Sequence, residues 1–226
     1  HAAQQLGFRT AVLDADEDSP AGTVSHHHVK SGYLDEAGLA RLAQVAQAVT
    51  TEFENVPADA LTRLAREVPV APAANAVAIA QDRAQEKAHF TRCGVPCAPN
   101  AVIESQDQLR AVPDALLPGV LKTARLGYDG KGQVRVADRA ALAQAWDELK
   151  RVPCVLEKLL PLASECSVVV ARGDDGCMVH LPVQRNLHRQ GILAVTEVGP
   201  GLLPEATERQ AIDATRAIAQ GLDYVG

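Results

Sequence analysis

The segment "PGVLKTARLGYDGKGQVRVAD" (residues 118–138) holds two apolar runs of strand character, "GVLKTA" and "VRVA", joined by a loop in which Gly127, Gly130 and Gly132 surround Lys131. Glycines around a lysine mark a phosphate loop, and the element that follows decides its type. A Walker loop needs Gly-Lys-Ser/Thr and then a helix whose N-terminal amides hold the phosphates. In this chain Lys131 is followed by Gly132 and the strand-like "QVRVAD", with no hydroxyl placed to hold magnesium. A dinucleotide fingerprint fails too, because the glycine spacing is wrong and no helix opens after the third glycine. The stretch is therefore predicted to be a β-hairpin with a glycine tip. On the loop alone two readings stay level. It is either a flap lying over a polyphosphate, with Lys131 adding charge, or an ordinary surface hairpin whose turn needs glycine without any ligand.

The neighbouring residues favour the flap. Lys122 sits inside an apolar run, where a buried ammonium needs an anionic partner; an exposed edge lysine is the dull alternative. "CVLEKLLP" places Glu157 and Lys158 at the end of another apolar strand, where an acid followed by backbone amides can meet a purine edge, Glu157 accepting from an exocyclic amine. "SECSVVV" puts Glu165 at the start of a strand, and "PVQRNLHRQGIL" is predicted to gather Arg185, Asn186, His188 and Arg189 in a turn. Polar turns are common, but Arg and His beside a glycine can neutralise an anion and its transition state.

Bulk properties narrow the class. A chain of 226 residues is long enough for two packed domains. Its hydrophobic fraction is 47%, yet charges interrupt every apolar run before the roughly 18 residues a membrane helix needs. With net charge -6 and 3% aromatics it offers neither a basic stripe nor a base-stacking platform, so no nucleic-acid or membrane partner is expected. The five cysteines, Cys93, Cys97, Cys154, Cys166 and Cys177, are an odd set without zinc-ribbon pairs; reduced, mostly buried thiols and a cytoplasmic location are expected. The adjacent histidines at 26–28, on a loop or short strand, point in different directions and favour a solvated segment over a metal site.

Along the chain, "FRTAVLDAD" reads as a buried parallel strand, "DEAGLARLAQVAQAV" as a helix, "VTTEF" as a second strand and "PADALTRLAREV" as a second helix. This alternation implies a parallel α/β layer. Ligands gather beyond the carboxyl ends of such strands, which points to Asp14, Asp16, Glu52 and Glu54, although exposed strand-end acids are often only solvated. The Pro/Ala-rich connector at residues 71–75 is predicted to separate an α/β domain, residues 1–74, from a second domain, residues 75–226, with a flap subdomain at about 100–157. One long helix, "AVAIAQDRAQEKAHFTRCG", is predicted to open the second domain and to close on Gly94. Beyond it lie strands mostly separated by turns and one helix, "DRAALAQAWDELKR", the pattern of an α+β region with antiparallel sheets.

The motifs "TTEFENVP", "QDRAQEK", "VLKTARLGYDGKGQ", "VLEKLLP", "SECSVVVARG" and "PVQRNLHRQGIL", in this order and at these separations, resemble the N5-carboxyaminoimidazole ribonucleotide synthetase family, ATP-grasp enzymes of purine biosynthesis. The likeness covers nearly the whole chain. "GYDGKGQ" followed by N-x-H-x-x-GIL is specific to this branch, whereas the lysine strand and acidic hinge are shared by ATP-grasp enzymes at large. The resemblance implies an ATP-grasp fold preceded by a Rossmann-like parallel α/β (pre-ATP-grasp) domain. It implies a ligase in which ATP phosphorylates bicarbonate to carboxyphosphate, whose carboxyl unit is captured by the exocyclic amine of 5-aminoimidazole ribonucleotide.

Carried across by motif, the ATP site comprises Arg83, Lys122, the loop residues Gly127, Tyr128, Asp129, Gly130, Lys131, Gly132 and Gln133, the hinge residues Glu157, Lys158, Leu159 and Leu160, and Glu165 and His188. Lys122 contacts phosphate, the hinge adenine, and Glu165 the ribose hydroxyls. Tyr128 and Asp129 turn to the imidazole nucleotide, Asp129 accepting a hydrogen bond from the attacking amine; with Lys131 and His188 they are the catalytic candidates, and Glu52 or Glu54 borders the substrate. The family uses Mg2+, whose ligands fall on strands expected beyond Gly226, and a strand and glycine-rich turn precede the helix that starts here at His1. Both ends are accordingly expected to be cut, the 226-residue polypeptide alone to be inactive, and the family's homodimer is carried over by analogy. The rival readings are another ATP-grasp ligase, against which Tyr128 and Asp129 speak, and a non-catalytic nucleotide-binding module.

Overall fold

The computed structural model describes residues 1–127, 131–189 and 191–226. The chain divides into two units, His1–Ala78 with Tyr224–Gly226, and Ile79–Asp223.

In the first unit β1 (Ala11–Asp14) pairs in parallel with β2 (His27–Lys30), Ala11 opposite His27. The histidine run thus supplies the second strand. His26 Nδ1 accepts the Thr10 amide at 3.1 Å, and His28 Nε2 lies 3.2 Å from the Asp14 carbonyl oxygen, so two of the three rings serve the strand crossing. Between the strands, Ser19 caps the helix Pro20–Val24 and donates its hydroxyl to Asp14 at 2.9 Å. The expected strand "VTTEF" does not form: only Val49 bridges in parallel to Val70. The chain bends directly after it, where the Thr51 hydroxyl donates to the Phe53 carbonyl, and Glu52 and Glu54 fall on exposed bends and turns. Helices Glu36–Val45 and Ala58–Leu64 appear where apolar spacing predicts them. Their buried Leu39, Leu42, Ala60 and Leu64 form a core with Leu13, Val49 and Val70.

The single long helix expected after the connector is two helices, Ala74–Ala80 and Arg83–Arg92. Asp82 breaks it, because its carboxylate accepts the amides of Ala84 and Gln85 and caps a new helix. Gly94, at φ +73, ends that helix as anticipated, with its amide on the Thr91 carbonyl and the Val95 amide on Phe90, the pairing of a Schellman turn.

The second unit is built on an antiparallel sheet of β3 (Asn100–Ile103), β4 (Gly119–Thr123), β5 (Gln133–Val136) and β6 (Cys154–Lys158), ordered β3-β6-β4-β5. The strands flanking the glycine loop pair as the predicted hairpin, Lys122 opposite Gln133. One face packs on helices Gln106–Ala111 and Arg139–Glu148 through Ile103, Leu109, Leu121, Leu142, Trp146 and Leu156. Downstream lie β7 (Glu165–Ser167), β8 (Val170–Arg172), β9 (Met178–His180), β10 (Gln184–Arg189) and β11 (Ile192–Val198), and a final helix, Glu205–Gly221. They form a sheet ordered β11-β10-β7 and a separate β8-β9 pair.

Arg185, Asn186, His188 and Arg189 therefore lie on a strand and not in a turn. Their backbone pairs along β11, and partly with β7, with a bulge between Leu187 and His188. The five cysteines are free, but only Cys154 is buried, and Cys166 and Cys177 are exposed, which corrects the expectation of mostly buried thiols. No helix among the described residues is long and apolar enough to cross a membrane.

Leu156, fully buried at the centre of the sheet, tests this core. Leu156→Ala is expected to lower the unfolding free energy by about 2–5 kcal/mol in urea denaturation without changing the slope of the transition.

Candidate active site

Lys122 does not stand alone in its strand. Its ammonium lies 3.1 Å from Glu157 Oε2, and Lys87, from helix Arg83–Arg92, lies 3.1 Å from Glu157 Oε1. The side chains of Lys87, Lys122 and Glu157 are 16%, 24% and 16% exposed, so the cluster is shielded from bulk water and its charges attract strongly. Burial alone would push Glu157 up, but the Lys122 and Lys87 ammonium groups outweigh it and hold the carboxyl below its ordinary range. Neighbouring Glu86 goes the other way: burial pushes it up, with Arg83 and Lys87 offsetting part of the effect. Both oxygens of Glu157, expected to accept from a purine amine, are thus already engaged by ammonium groups.

Lys122 also lines a cavity of about 1250 Å³ between the β3-β6-β4-β5 and β11-β10-β7 sheets. Val120, Gln133 and Arg135 join it from the first sheet. Glu165, Arg185, Asn186, His188, Val195 and Glu197 come from the second. Strand alternation places Gln133 and Arg135 on the same face as their register partners Lys122 and Val120. His188 Nδ1 donates to Glu165 Oε2 at 2.7 Å, which fixes the proton on Nδ1 and leaves Nε2 for a further partner. Arg185 is held by Glu197, its register partner, with Nε to Oε2 at 2.7 Å. Cationic groups on both walls, two of them steadied by carboxylates, make this a cavity for a large anion.

Arg83 sits at the base of the glycine loop. Its Nε donates to the Thr123 carbonyl at 3.1 Å and its Nη2 to the Gly127 carbonyl at 3.2 Å, so one guanidinium ties together the strand end and the loop entrance. The Thr123 amide closes the base on the Gly132 carbonyl at 2.8 Å. Gly132 has φ +71, and a Cβ there would stand 2.7 Å from Thr123 Oγ1, so backbone conformation and space both require glycine. Lys131 is exposed.

Of the residues assigned from sequence, the cavity collects Lys122, Gln133, Glu165 and His188. Arg83, Gly127, Lys131, Gly132, Glu157, Lys158, Leu159 and Leu160 are not on its wall. Within the hinge, the Lys158 amide is taken by the Pro99 carbonyl and the Leu159 amide by Pro118. Tyr128, Asp129 and Gly130 lie outside the described residues, and Glu52 and Glu54 belong to the other unit. Sequence reasoning missed Lys87, Arg135 and Glu197. Arg135 was accessible through the two-residue period from Gln133, whereas the contact of Lys87 with Glu157 has no local signal.

Residues 88–226 match the ATP-grasp domain and residues 1–81 the ribonucleotide synthetase preATP-grasp domain. The chain belongs to the ATP-grasp family. Along its length it is similar to the N5-carboxyaminoimidazole ribonucleotide synthase of Pseudomonas aeruginosa, with 39% identity over 222 residues, 98% of this chain and 61% of that protein. A crystal structure of an N5-carboxyaminoimidazole ribonucleotide synthetase with ADP superposes with a TM-score of 0.91 at 32% identity, covering 100% of this chain and 60% of the other. The N5-carboxyaminoimidazole synthase of Aspergillus clavatus, solved with ADP and 5-aminoimidazole ribonucleotide, gives 0.87 at 26% identity, covering 100% and 59%. The chain thus spans about three fifths of the length of the relatives it matches.

Glu157→Gln removes the carboxylate shared by the two lysines and is expected to destabilise the protein by roughly 1–3 kcal/mol at pH 7. Because the folded carboxyl titrates below its unfolded value of about 4.3, its contribution is complete above that pH and is lost as pH falls through the lower folded value. The gap between parent and variant in urea denaturation should therefore close below about pH 4. A gap that stays constant as the pH is taken further down, through the acid range below that value, contradicts the ion-pair account.

Proposed function

We propose that the cavity of the second unit binds ATP, and that the chain serves the ATP-dependent carboxylation of 5-aminoimidazole ribonucleotide with bicarbonate. One observation carries this reading: Lys122, Gln133, Glu165 and His188, four residues far apart in sequence, line a single cavity in a chain similar along its length to enzymes named for that product. The ADP and ADP–aminoimidazole ribonucleotide complexes of those relatives support the choice of both ligands.

In this reading Lys122 and the Gly127–Gly132 backbone neutralise the polyphosphate, Glu165 accepts from the ribose hydroxyls, and His188 Nε2 faces the anion. A bicarbonate oxygen attacks the γ-phosphorus and ADP leaves with the bridging oxygen, giving carboxyphosphate. The exocyclic amine then bonds to the carboxyl carbon, or to CO2 released from it, phosphate departs, and the amine gives up a proton. Asp129 accepts the hydrogen bond that aims the amine, and Tyr128 and Lys131 complete that end of the loop. A closed loop excludes water from an acyl phosphate that hydrolyses readily. Glu52 or Glu54 borders the ribonucleotide. The adenine is held at the hinge of Glu157, Lys158, Leu159 and Leu160 through backbone groups other than the Lys158 and Leu159 amides, since those amides and the Glu157 carboxylate are engaged.

Magnesium enters as the ATP complex. Among the described residues no three His, Cys, Asp or Glu side chains come together to hold a metal ion. A homodimer, the cytoplasm and a domain boundary near residues 71–75 belong to the same proposal.

Removing a charge-assisted phosphate contact costs about 1.5–3 kcal/mol, so Lys122→Ala should weaken ADP binding roughly 10- to 100-fold by calorimetry. Asp129→Ala should leave ADP affinity unchanged and abolish binding of 5-aminoimidazole ribonucleotide to the ADP-saturated protein. Equal ADP affinity in Lys122→Ala and the parent contradicts the site. A preference for a different amine acceptor in a ligand panel transfers the chain to another ligase of this fold.

A further inference from the structure

Glu157 holds two lysines, and of the three side chains only Lys122 reaches the cavity wall. Lys87 comes from helix Arg83–Arg92, which packs against β6, and meets the carboxylate on the oxygen Lys122 does not use. Two ammonium groups against one carboxylate leave a surplus of positive charge, and where that surplus appears depends on which lysine keeps the carboxylate. With Lys122 as sole partner, turning to a phosphate would leave a poorly solvated carboxylate unpaired, so nucleotide and Glu157 would compete for one ammonium. With Lys87 in place, Glu157 stays neutralised when Lys122 turns away.

We infer that Lys87 is a positioning residue for nucleotide binding: it is the standing counter-ion of Glu157, and it releases Lys122 to the polyphosphate without contacting the nucleotide itself. The inference rests on the reading of Lys122 as a phosphate contact. The other charges around the cluster fit this role. Arg83 is committed to the carbonyls of Thr123 and Gly127. The ammonium of Lys87 lies 3.1 Å from Glu157 Oε1, and among the described residues it forms no ion pair with the neighbouring acid Glu86. Lys87 therefore has one strong anionic partner, and that partner is the one Lys122 must leave.

The test is calorimetric titration with ADP of the parent chain and four variants, each first shown to melt cooperatively. Lys87→Met, which keeps the aliphatic stem, is expected to weaken ADP binding about tenfold, the scale of one charge-assisted contact. Lys87→Arg should restore most of the affinity. The double variant Lys87→Met/Glu157→Gln should bind ADP more tightly than Lys87→Met, because the competing carboxylate is gone. A purely structural Lys87 gives the opposite result, a double variant as weak as or weaker than the single one, and that overturns the inference. Unchanged affinity in Lys87→Met overturns it as well. Lys122→Ala separates the two levels: if it binds ADP like the parent, the phosphate assignment fails and the inference with it, whereas a weakened Lys122→Ala beside an intact Lys87→Met sinks the inference alone.

Discussion

A single carboxylate, Glu157, joins three elements of the second unit: β6, which carries it, β4 through Lys122, and helix Arg83–Arg92 through Lys87. Glu157 lies opposite Val120 in the ladder, two residues along β4 from Lys122 and on the same face, so the ion pair and the backbone register reinforce each other. A lysine placed among Leu121, Val155 and Leu156 would otherwise be a liability, since unpaired charge is disfavoured where water is scarce. With the pair in place, the same strand can bury Leu121 on one face and present an ammonium to a cavity on the other.

The rest of the site extends this arrangement. Arg185 and His188 on the cavity wall each meet a carboxylate, so they are held in position before any anion arrives. Arg83 does the same for the backbone, bracing the strand end and the entrance of the glycine loop with one planar group. The result is a fixed frame at the two ends of the glycine-rich segment, Gly127 and Gly132.

Much of this frame was legible in the sequence because its signals are local. Strand character on both sides of "GYDGK" fixed the hairpin and ruled out the helix of a Walker loop, and the hairpin places Lys122 opposite Gln133. Where the reading failed, a local pattern was overridden by a specific bond. Asp82 caps a helix in the middle of what reads as one amphipathic run. The polar string from Arg185 to Arg189 looks like a turn, yet it is strand because β11 pairs along its whole length and β7 adds a second partner at Arg185 and Asn186. "HHVK" becomes β2 while "VTTEF" does not, as the first pairs along β1 and is fastened to it by the His28 ring, and the second bends back on its own hydroxyl. The partners of Glu157 were invisible for another reason: its contact with Lys87 spans seventy positions and is made only when the helix packs on the sheet.

The account stands or falls on where the nucleotide lies and what Glu157 does when it is there. A crystal structure of this chain with ADP tests both at once. The prediction is a diphosphate in the cavity between the two sheets, within hydrogen-bond distance of Lys122 Nζ, with the ribose against Glu165 and the Glu157 carboxylate still held by Lys87. ADP bound away from that cavity, or bound in it with Lys122 still on Glu157 and out of reach of phosphate, would contradict it.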